Sequence, residues 1–332
     1  MARRMKRALV SGGCGFVGRH FVSRLLDDGW RVLIVDDLSS GVPPYEWNMG
    51  KTVNFAPGQL DFAREDLRDW ISSGGKAEHV DLIIHCAAVV GGRSKIEGDP
   101  LAVATDLAID SDFFNWIVKA KNRPKVVYFS SSAVYPVSLQ SRKAHVAMVE
   151  AFVNFENTIG IPDMTYGWAK LTGEFLAQHA VKTYNADVVI YRPFSGYGED
   201  QSFDYPFPSI IRRVVNRENP ITIWGFGDQC RDFIHIDDIV EAVMQTKDVL
   251  EPGEVLNLGS GRATSFKELV SWASVYSGVD SVNSVCDTTK PEGVFYRVAD
   301  TYKLDQLYKP KISLEEGIKR VAAHLTKAKE AV

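Results

Sequence analysis

Leu9-Val10-Ser11-Gly12-Gly13-Cys14-Gly15-Phe16-Val17-Gly18, close to the N-terminus, constrains this chain more than any other stretch. It reads as a buried strand that runs into a glycine turn and then a helix. Gly13, Gly15 and Gly18 fit G-x-G-x-x-G, while Gly12, Gly15 and Gly18 fit G-x-x-G-x-x-G. The physics is common to both. Glycine permits positive φ in a tight turn, lets the backbone approach a pyrophosphate, and leaves helix N–H groups facing that anion. The strand Arg7 to Val10 before it and the helix Phe16 to Leu26 after it supply the required context. A second strand, Arg31 to Val35, ends at Asp36, about 20 residues past the glycines, where a dinucleotide site needs an acid. A dinucleotide site follows.

The rest of the chain repeats this rhythm. Val53-Asn54-Phe55 reads as a short third strand and Ala63 to Ser72 as a helix. Val80 to His85 reads as the next strand, Pro100 to Lys121 as a long helix, and Lys125 to Ser130 as a strand. Thr165 to Tyr184 is the following helix, and Val188 to Tyr191 the strand that closes the series. Continuous β-branched runs mean strands buried on both faces, hence a parallel sheet under helices. The fold class is α/β, a Rossmann-type doubly wound sheet with a smaller C-terminal substrate-binding lobe. Residues 1–192 form the expected cofactor-binding domain and 193–332 the lobe, with segments interleaved. A helix is expected over Ser209 to Asn216, and a long irregular connection over Pro136 to Asp163.

Composition narrows the function. The 332 residues carry 24% charged side chains and a net charge of −4, which gives no broad attraction for nucleic acid or an anionic membrane. The basic cluster Arg3, Arg4, Lys6 and Arg7 reads as a solvated tail. Cys14, Cys86, Cys230 and Cys286 lie far apart with no C-x-x-C spacing, so neither a metal site nor a disulfide frame is expected. No signal peptide or bilayer-length apolar run is seen, and the expected compartment is the cytoplasm.

Two further stretches carry chemistry. Tyr166-Gly167-Trp168-Ala169-Lys170 puts a phenol and an ammonium on one helix face. A phenol with a pKa of about 10 is a poor base at neutral pH, and lowering it by three units takes ~4 kcal/mol, within reach of Lys170 plus a positive nicotinamide ring. Ser130-Ser131-Ser132-Ala133-Val134-Tyr135-Pro136 follows a buried strand, and ligands of such sheets bind outside the carboxyl ends of the strands.

These motifs, in this order and spacing, resemble the extended short-chain dehydrogenases/reductases, specifically the NAD-dependent nucleotide-sugar epimerases and dehydratases. The resemblance takes in Gly12-x-x-Gly15-x-x-Gly18, Asp36, Ala87-Ala88, Ser130 to Ser132 and Tyr166-x-x-x-Lys170. It continues through Arg192-Pro193-Phe194, Gly225 to His235, Asn257 to Gly261 and Arg297 to Asp300. It implies NAD as cofactor, with Gly12, Gly15, Phe16, Val17, Leu60, Ala87, Ala88 and Pro193 lining it. Asp36, beside Asp37, would hold the adenosine ribose and repel a 2′-phosphate, and Asp61 would sit near the adenine amine. Tyr166 would be the base, Lys170 would bind ribose and depress the tyrosine pKa, and Ser131, or Ser132 one residue on, would bridge substrate and tyrosine. Arg231 and Arg297 would bind a nucleotide diphosphate, with Arg93, Ser195 and Trp224 as further substrate contacts. The family's two long helices, here near 100–121 and 165–184, would pair across a homodimer.

Departures from the family pattern bear on the reaction. Dehydratases of the family carry Asp-Glu where this chain has Ser132-Ala133, decarboxylases a glutamate, and 3,5-epimerases a cysteine at the Ala133 position. The remaining set, Ser131, Tyr166 and Lys170, suffices for C4 inversion of a nucleotide-diphosphate sugar by transient oxidation to a 4-keto sugar and hydride return. The alternatives are a dehydratase or 3,5-epimerase/reductase with a non-standard acid, from His145, Glu150 or Glu156 in the long connection, or a non-catalytic NAD-binding member. Val89 to Lys95 resembles the substrate loop of the GDP-sugar 3,5-epimerase and fucose-synthase branch, in which Arg93 or Lys95 either meets the sugar or is a solvated charge.

Overall fold

The computed structural model describes residues 4–330 apart from 50–52, 54, 78, 90, 92, 144 and 281, and leaves out the side chains of 93–95 and 328–330. The first half alternates β1 (Arg7–Ser11), α1 (Phe16–Asp27), β2 (Arg31–Asp36), β3 (Leu60–Arg64), α2 (Leu67–Ser72) and β4 (Leu82–His85). It goes on with α3 (Arg93–Gly98), α4 (Pro100–Val103), α5 (Thr105–Ile117), β5 (Lys125–Phe129), α6 (Met164–Tyr184) and β6 (Val188–Pro193). The second half has shorter elements: β7 (Ser195–Tyr197), α7 (Pro206–Val215), β8 (Ile221–Trp224), β9 (Cys230–Arg231), β10 (Phe233–His235) and α8 (Ile236–Thr246). It ends with β11 (Val255–Leu258), β12 (Thr264–Ser265), α9 (Phe266–Tyr276), β13 (Ser284–Asp287), β14 (Tyr296–Arg297), α10 (Tyr302–Asp305) and α11 (Leu314–Glu330).

Seven strands form one parallel sheet in the order β11-β6-β5-β4-β1-β2-β3. The strand order reverses at β1, between β2 and β4, so the crevice for a ligand opens at the glycine turn. Separate apolar clusters cover the two faces. Val10, Phe21, Leu25 and Ile34 pack on one, and Leu9, Ile83, Phe113 and Val126 on the other. This is the burial expected of continuous apolar strands.

Several expected elements lie elsewhere. The third strand is Leu60–Arg64 rather than 53–55, of which Asn54 lies outside the described residues; β3 is an edge strand whose pairing with β2 runs from Val32↔Leu60 to Asp36↔Arg64. The helix read from Ala63 therefore starts only at Leu67, after the Asp66 side chain caps the Arg68 N–H. The long helix from Pro100 is broken at Ala104, where the chain leaves α4 and re-enters α5 and stops at Ile117. α7 begins at Pro206, a residue suited to a first turn, and not at Ser209. β6 does not close the sheet. β11, from the second half, pairs with it through Val255↔Ile190 to Leu258↔Pro193. Among the described residues no helix is long and apolar enough to cross a membrane.

Candidate active site at the carboxyl edge of the sheet

The glycine turn is built for close approach. Gly12 has φ +69°, and a Cβ there would lie 2.6 Å from the Ala87 nitrogen. A Cβ on Gly18 would lie 2.1 Å from the Gly12 oxygen, so the helix can pack on the turn only as glycine. Gly15 is different: an added Cβ would meet only the Gly12 oxygen, at 3.3 Å, so it faces open space. Gly15 is the N-cap of α1 with no side-chain cap, and the first-turn N–H groups of Phe16 and Val17 point into that space. The three residues that matter are those of the G-x-x-G-x-x-G reading.

Asp36 closes the turn. Its Oδ2 accepts from the Cys14 N–H at 2.9 Å and its Oδ1 from the Leu38 N–H at 2.8 Å. Burial raises its pKa, and the Leu38, Cys14 and Gly15 N–H groups partly counter that. Asp37, next to it, is exposed. Ala87 and Ala88 leave β4 beside Gly12, and Pro193 ends β6. Leu60 and Asp61 do not belong to this site. They open β3, three or four residues short of its carboxyl end, about 10 Å along the strand. Asp61 instead pairs with Arg31 at 2.8 Å on the surface. Two acids follow the end of β3 at Arg64, which lies opposite Asp36: Glu65, whose N–H binds the Asp36 oxygen, and Asp66, whose side chain caps α2 and pairs with Arg68. The signal for Asp66 in the sequence is the run Asp66-Leu67-Arg68-Asp69, a helix start directly after a strand.

Across the crevice, α6 carries the reactive pair. Lys170 is buried at 4% exposure, while Tyr166 is partly buried. Ser131 caps a 3-10 turn over Ser132–Val134 by accepting from the Ala133 N–H at 3.1 Å, and Ser132 is buried within that turn. The Asp163 N–H binds the Ala133 oxygen at 2.9 Å, which fixes the start of α6 against this turn. The chain therefore brings Ser131, Tyr166 and Lys170 together.

Lys170 lowers the tyrosine pKa as implied, but in the protein alone burial outweighs it. The pKa of Tyr166 is raised: burial has the largest effect, Lys170 and the Ser131 hydrogen bond lower it, and Asp106 and Asp110 raise it. Lys170 keeps its ammonium because Asp110 and Asp106 more than offset its burial. Sequence reasoning missed both carboxylates. They stand four residues apart on α5, and the available signal was two acids on a helix otherwise facing the core.

Arg231 and Arg297 are register partners in parallel strands β9 and β14, so their side chains leave the same face. Arg297 donates to Gln140 Oε1 at 2.6 Å and Asp163 Oδ2 at 2.7 Å; Arg231 donates to the Cys230 and Val294 carbonyls. Two adjacent guanidiniums suit a diphosphate. Beside them opens a cleft of about 580 Å³ lined by Val137, Gln140, Asp163, Glu292 and Phe295 among others. Ser195 starts β7, where its N–H binds the Asp232 oxygen. Trp224 stands 42% exposed at the end of β8 under Lys290, and it is Phe226, two residues on, that stacks on Arg142. The side chains of Arg93 and Lys95 lie outside the described residues. Of the acids in the long connection, Glu150 is engaged by the Asn257 N–H, His145 stacks on Phe295 and Tyr296, and Glu156 is exposed.

A parallel sheet with this switch point, glycine turn and acid defines a dinucleotide-binding protein of the Rossmann type. The model of the NAD dependent epimerase/dehydratase family matches residues 8–259. The chain belongs to that family, and NAD is its cofactor. The open cradle at Gly15 and the buried Asp36 carboxylate fit that group. The chain is 29% identical over 333 residues to the uncharacterized UDP-glucose epimerase YtcB of Bacillus subtilis, covering 96% of this chain and 98% of that one. It is 27% identical over 313 residues to a dTDP-4-dehydro-6-deoxy-D-allose reductase of Streptomyces, covering 91% and 90%. The solved UDP-glucuronic acid 4-epimerase of Bacillus cereus, in complex with UDP-glucuronic acid and NAD, superposes with a TM-score of 0.78 at 25% identity, covering 97% and 99%. Relatives at this distance include both epimerases and reductases, so the reaction has to be argued from the site.

We expect Asp36→Ala to weaken NAD binding and narrow the preference for NAD over NADP, read by titration calorimetry with each cofactor. Asp61→Ala leaves NAD affinity within about twofold, since its exposed pair with Arg31 contributes only ~0–1 kcal/mol to folding.

Proposed function

We propose that this protein inverts C4 of a nucleotide-diphosphate sugar, with Ser131, Tyr166 and Lys170 as the reacting set. The observation that carries the reading is the close packing of the start of α6 on the serine turn, where the Asp163 N–H binds the Ala133 oxygen at 2.9 Å and a Cβ on Gly167 would lie 2.5 Å from that oxygen, while the Ala133 side chain supplies neither acid nor base. The glycine turn, Asp36, Ala87 and Lys170 would hold NAD, which would supply a reversible two-electron acceptor at C4. The protein's own part is proton handling and positioning. Tyr166 takes the proton of the 4-hydroxyl as the C4 carbonyl forms and gives it back when the sugar has turned over. Ser131 hydrogen-bonds both oxygens and keeps them within transfer distance. Lys170 supplies positive charge one turn below the phenol.

The paired guanidiniums of Arg231 and Arg297 hold the diphosphate, and the Arg297–Asp163 ion pair links that grip to the start of α6, three residues before Tyr166. Ser195 is read as a sugar contact, Arg93 and Trp224 as further substrate contacts. Asp66, rather than Asp61, is read as the acid at the adenine end. Residues 1–192 are read as the cofactor-binding part and 193–332 as the substrate lobe, although β11 returns to the main sheet. The four thiols, all free, fit the cytoplasm.

A homodimer is part of this reading. Trp168 and Phe175 on α6 and Leu107 on α5 are 50%, 42% and 39% exposed, an apolar strip on two packed helices. Sedimentation equilibrium at micromolar concentration should give twice the chain mass; a monomer would contradict the pairing. Tyr166→Phe should lower turnover of the competent sugar nucleotide, found by screening UDP-, GDP-, CDP- and dTDP-sugars, by roughly 10²–10⁴-fold while NAD stays bound. Near-normal turnover by that variant would refute the mechanism.

A further inference from the structure

The cleft beside Arg231 and Arg297 has a wall that the proposed reaction does not use. Arg297 donates to Gln140 and Asp163, and Arg231 to the Val294 carbonyl. All three acceptor residues line the cleft, so the diphosphate grip opens directly into it. Asp163 stands three residues before Tyr166. A sugar carried toward the phenol takes that side of the cleft, and the nucleoside takes the wall from Pro291 to Phe295.

Two charged groups meet at that wall. Glu292 lines it, and Arg142, which follows the lining residue Ser141, donates through Nη2 to Glu292 Oε1. The guanidinium carbon of Arg142 lies 4.6 Å from the centre of the Phe226 ring and 4.5 Å from that of Phe295. Contact with two aromatic rings fixes the plane of the fork. Glu292 is placed by the backbone beneath it. Gly225 has φ +73°, and a Cβ there would lie 2.9 Å from the Glu292 Cβ and Cγ, so the carboxylate stem rests on the 224–228 turn only over glycine. The Phe295 N–H binds the Gln140 oxygen at 2.9 Å, which holds the two segments side by side. The side chains of Arg142 and Glu292 are 46% and 24% exposed, and an ion pair so open to water adds little to folding. Stability does not account for the pair. Recognition does.

An arginine beside a glutamate presents guanidinium donors and then two carboxylate acceptors. Guanine carries the full complement along one edge: acceptors N7 and O6, then donors N1–H and N2–H. Adenine, uracil and thymine alternate acceptor, donor and acceptor, which leaves an acceptor facing the carboxylate. Cytosine matches in part, with one amine for two carboxylate oxygens. We propose that Arg142 and Glu292 read the base of the substrate, and that the substrate is a guanosine diphosphate sugar. The inference rests on Arg231 and Arg297 holding the diphosphate. It assigns specificity for the base to the long connection and the 290–295 segment, away from the reacting set.

The test is titration calorimetry of the NAD-loaded protein with GDP, UDP, ADP, CDP and inosine diphosphate, which lacks the N2 amine. GDP should bind about tenfold more tightly than UDP or ADP, with inosine diphosphate and CDP between them. Glu292→Gln should weaken GDP about tenfold and leave UDP unchanged, and Arg142→Met should likewise act on GDP alone. Arg231→Ala should weaken every diphosphate alike. UDP, ADP or CDP binding as tightly as GDP overturns the inference. So does a Glu292→Gln variant that weakens GDP and UDP equally, or GDP binding that Arg231→Ala leaves unchanged. Failure of all five diphosphates to bind would instead overturn the nucleotide-sugar reading itself, and the inference with it.

Discussion

The site depends on how closely α6 lies against the carboxyl ends of β4 and β5. Two glycines of that helix set the distance. A Cβ on Gly167 would come within 2.5 Å of the Ala133 oxygen, and one on Gly173 would overlap the Tyr128 hydroxyl. The first contact places Tyr166 beside the serine turn; the second places Lys170 above Asp110. Side chains at either position would lift the helix and separate the reactive pair from its partners. The cost of glycine in a helix interior, about 1 kcal/mol each, is offset by packing that no other residue allows.

A buried ion pair also holds this helix. Glu174 accepts from Arg192 Nε at 2.8 Å and Nη2 at 2.6 Å, and from the Ser130 hydroxyl. Arg192 also reaches the Tyr135 hydroxyl and the Glu150 carbonyl, and Tyr135 donates to Asn257 on β11. Breaking one partner of such a pair costs ~3–5 kcal/mol, because the other charge is left buried. The network ties α6 to β5, β6 and β11, and so connects the serine turn to the strand that the second half of the chain contributes. The helix that carries the reactive tyrosine is therefore held both by close packing and by charge.

Much of this was legible from residue order. The glycine turn, Asp36 and the buried runs of β1, β4, β5 and β6 are dense apolar or glycine signals with a single physical reading. β3 was misplaced because an edge strand alternates: Leu60-Asp61-Phe62-Ala63-Arg64 shows no continuous apolar run, and Val53 to Phe55 looked more strand-like. Leu60 and Asp61 were misassigned with it. β11 was missed as a member of the main sheet because only the fold returns it there, long after the βα rhythm stops. The break at Ala104 has no local cause in a helix-favouring residue. Asp106 and Asp110 read as the polar side of an amphipathic helix, and only the tertiary structure shows that side to be the interior. They add to burial in raising the tyrosine pKa, which Lys170 lowers.

The central claim is that Ser131, Tyr166 and Lys170 invert C4 with no additional acid or base. The most direct measurement is to run the reaction of the competent sugar nucleotide in deuterated water and locate deuterium in the product by NMR. C4 inversion by this set leaves every carbon-bound hydrogen unexchanged, so the account predicts an epimer with no deuterium on carbon. Deuterium at C3 or C5 would contradict it, since that exchange requires an acid and base this set does not contain.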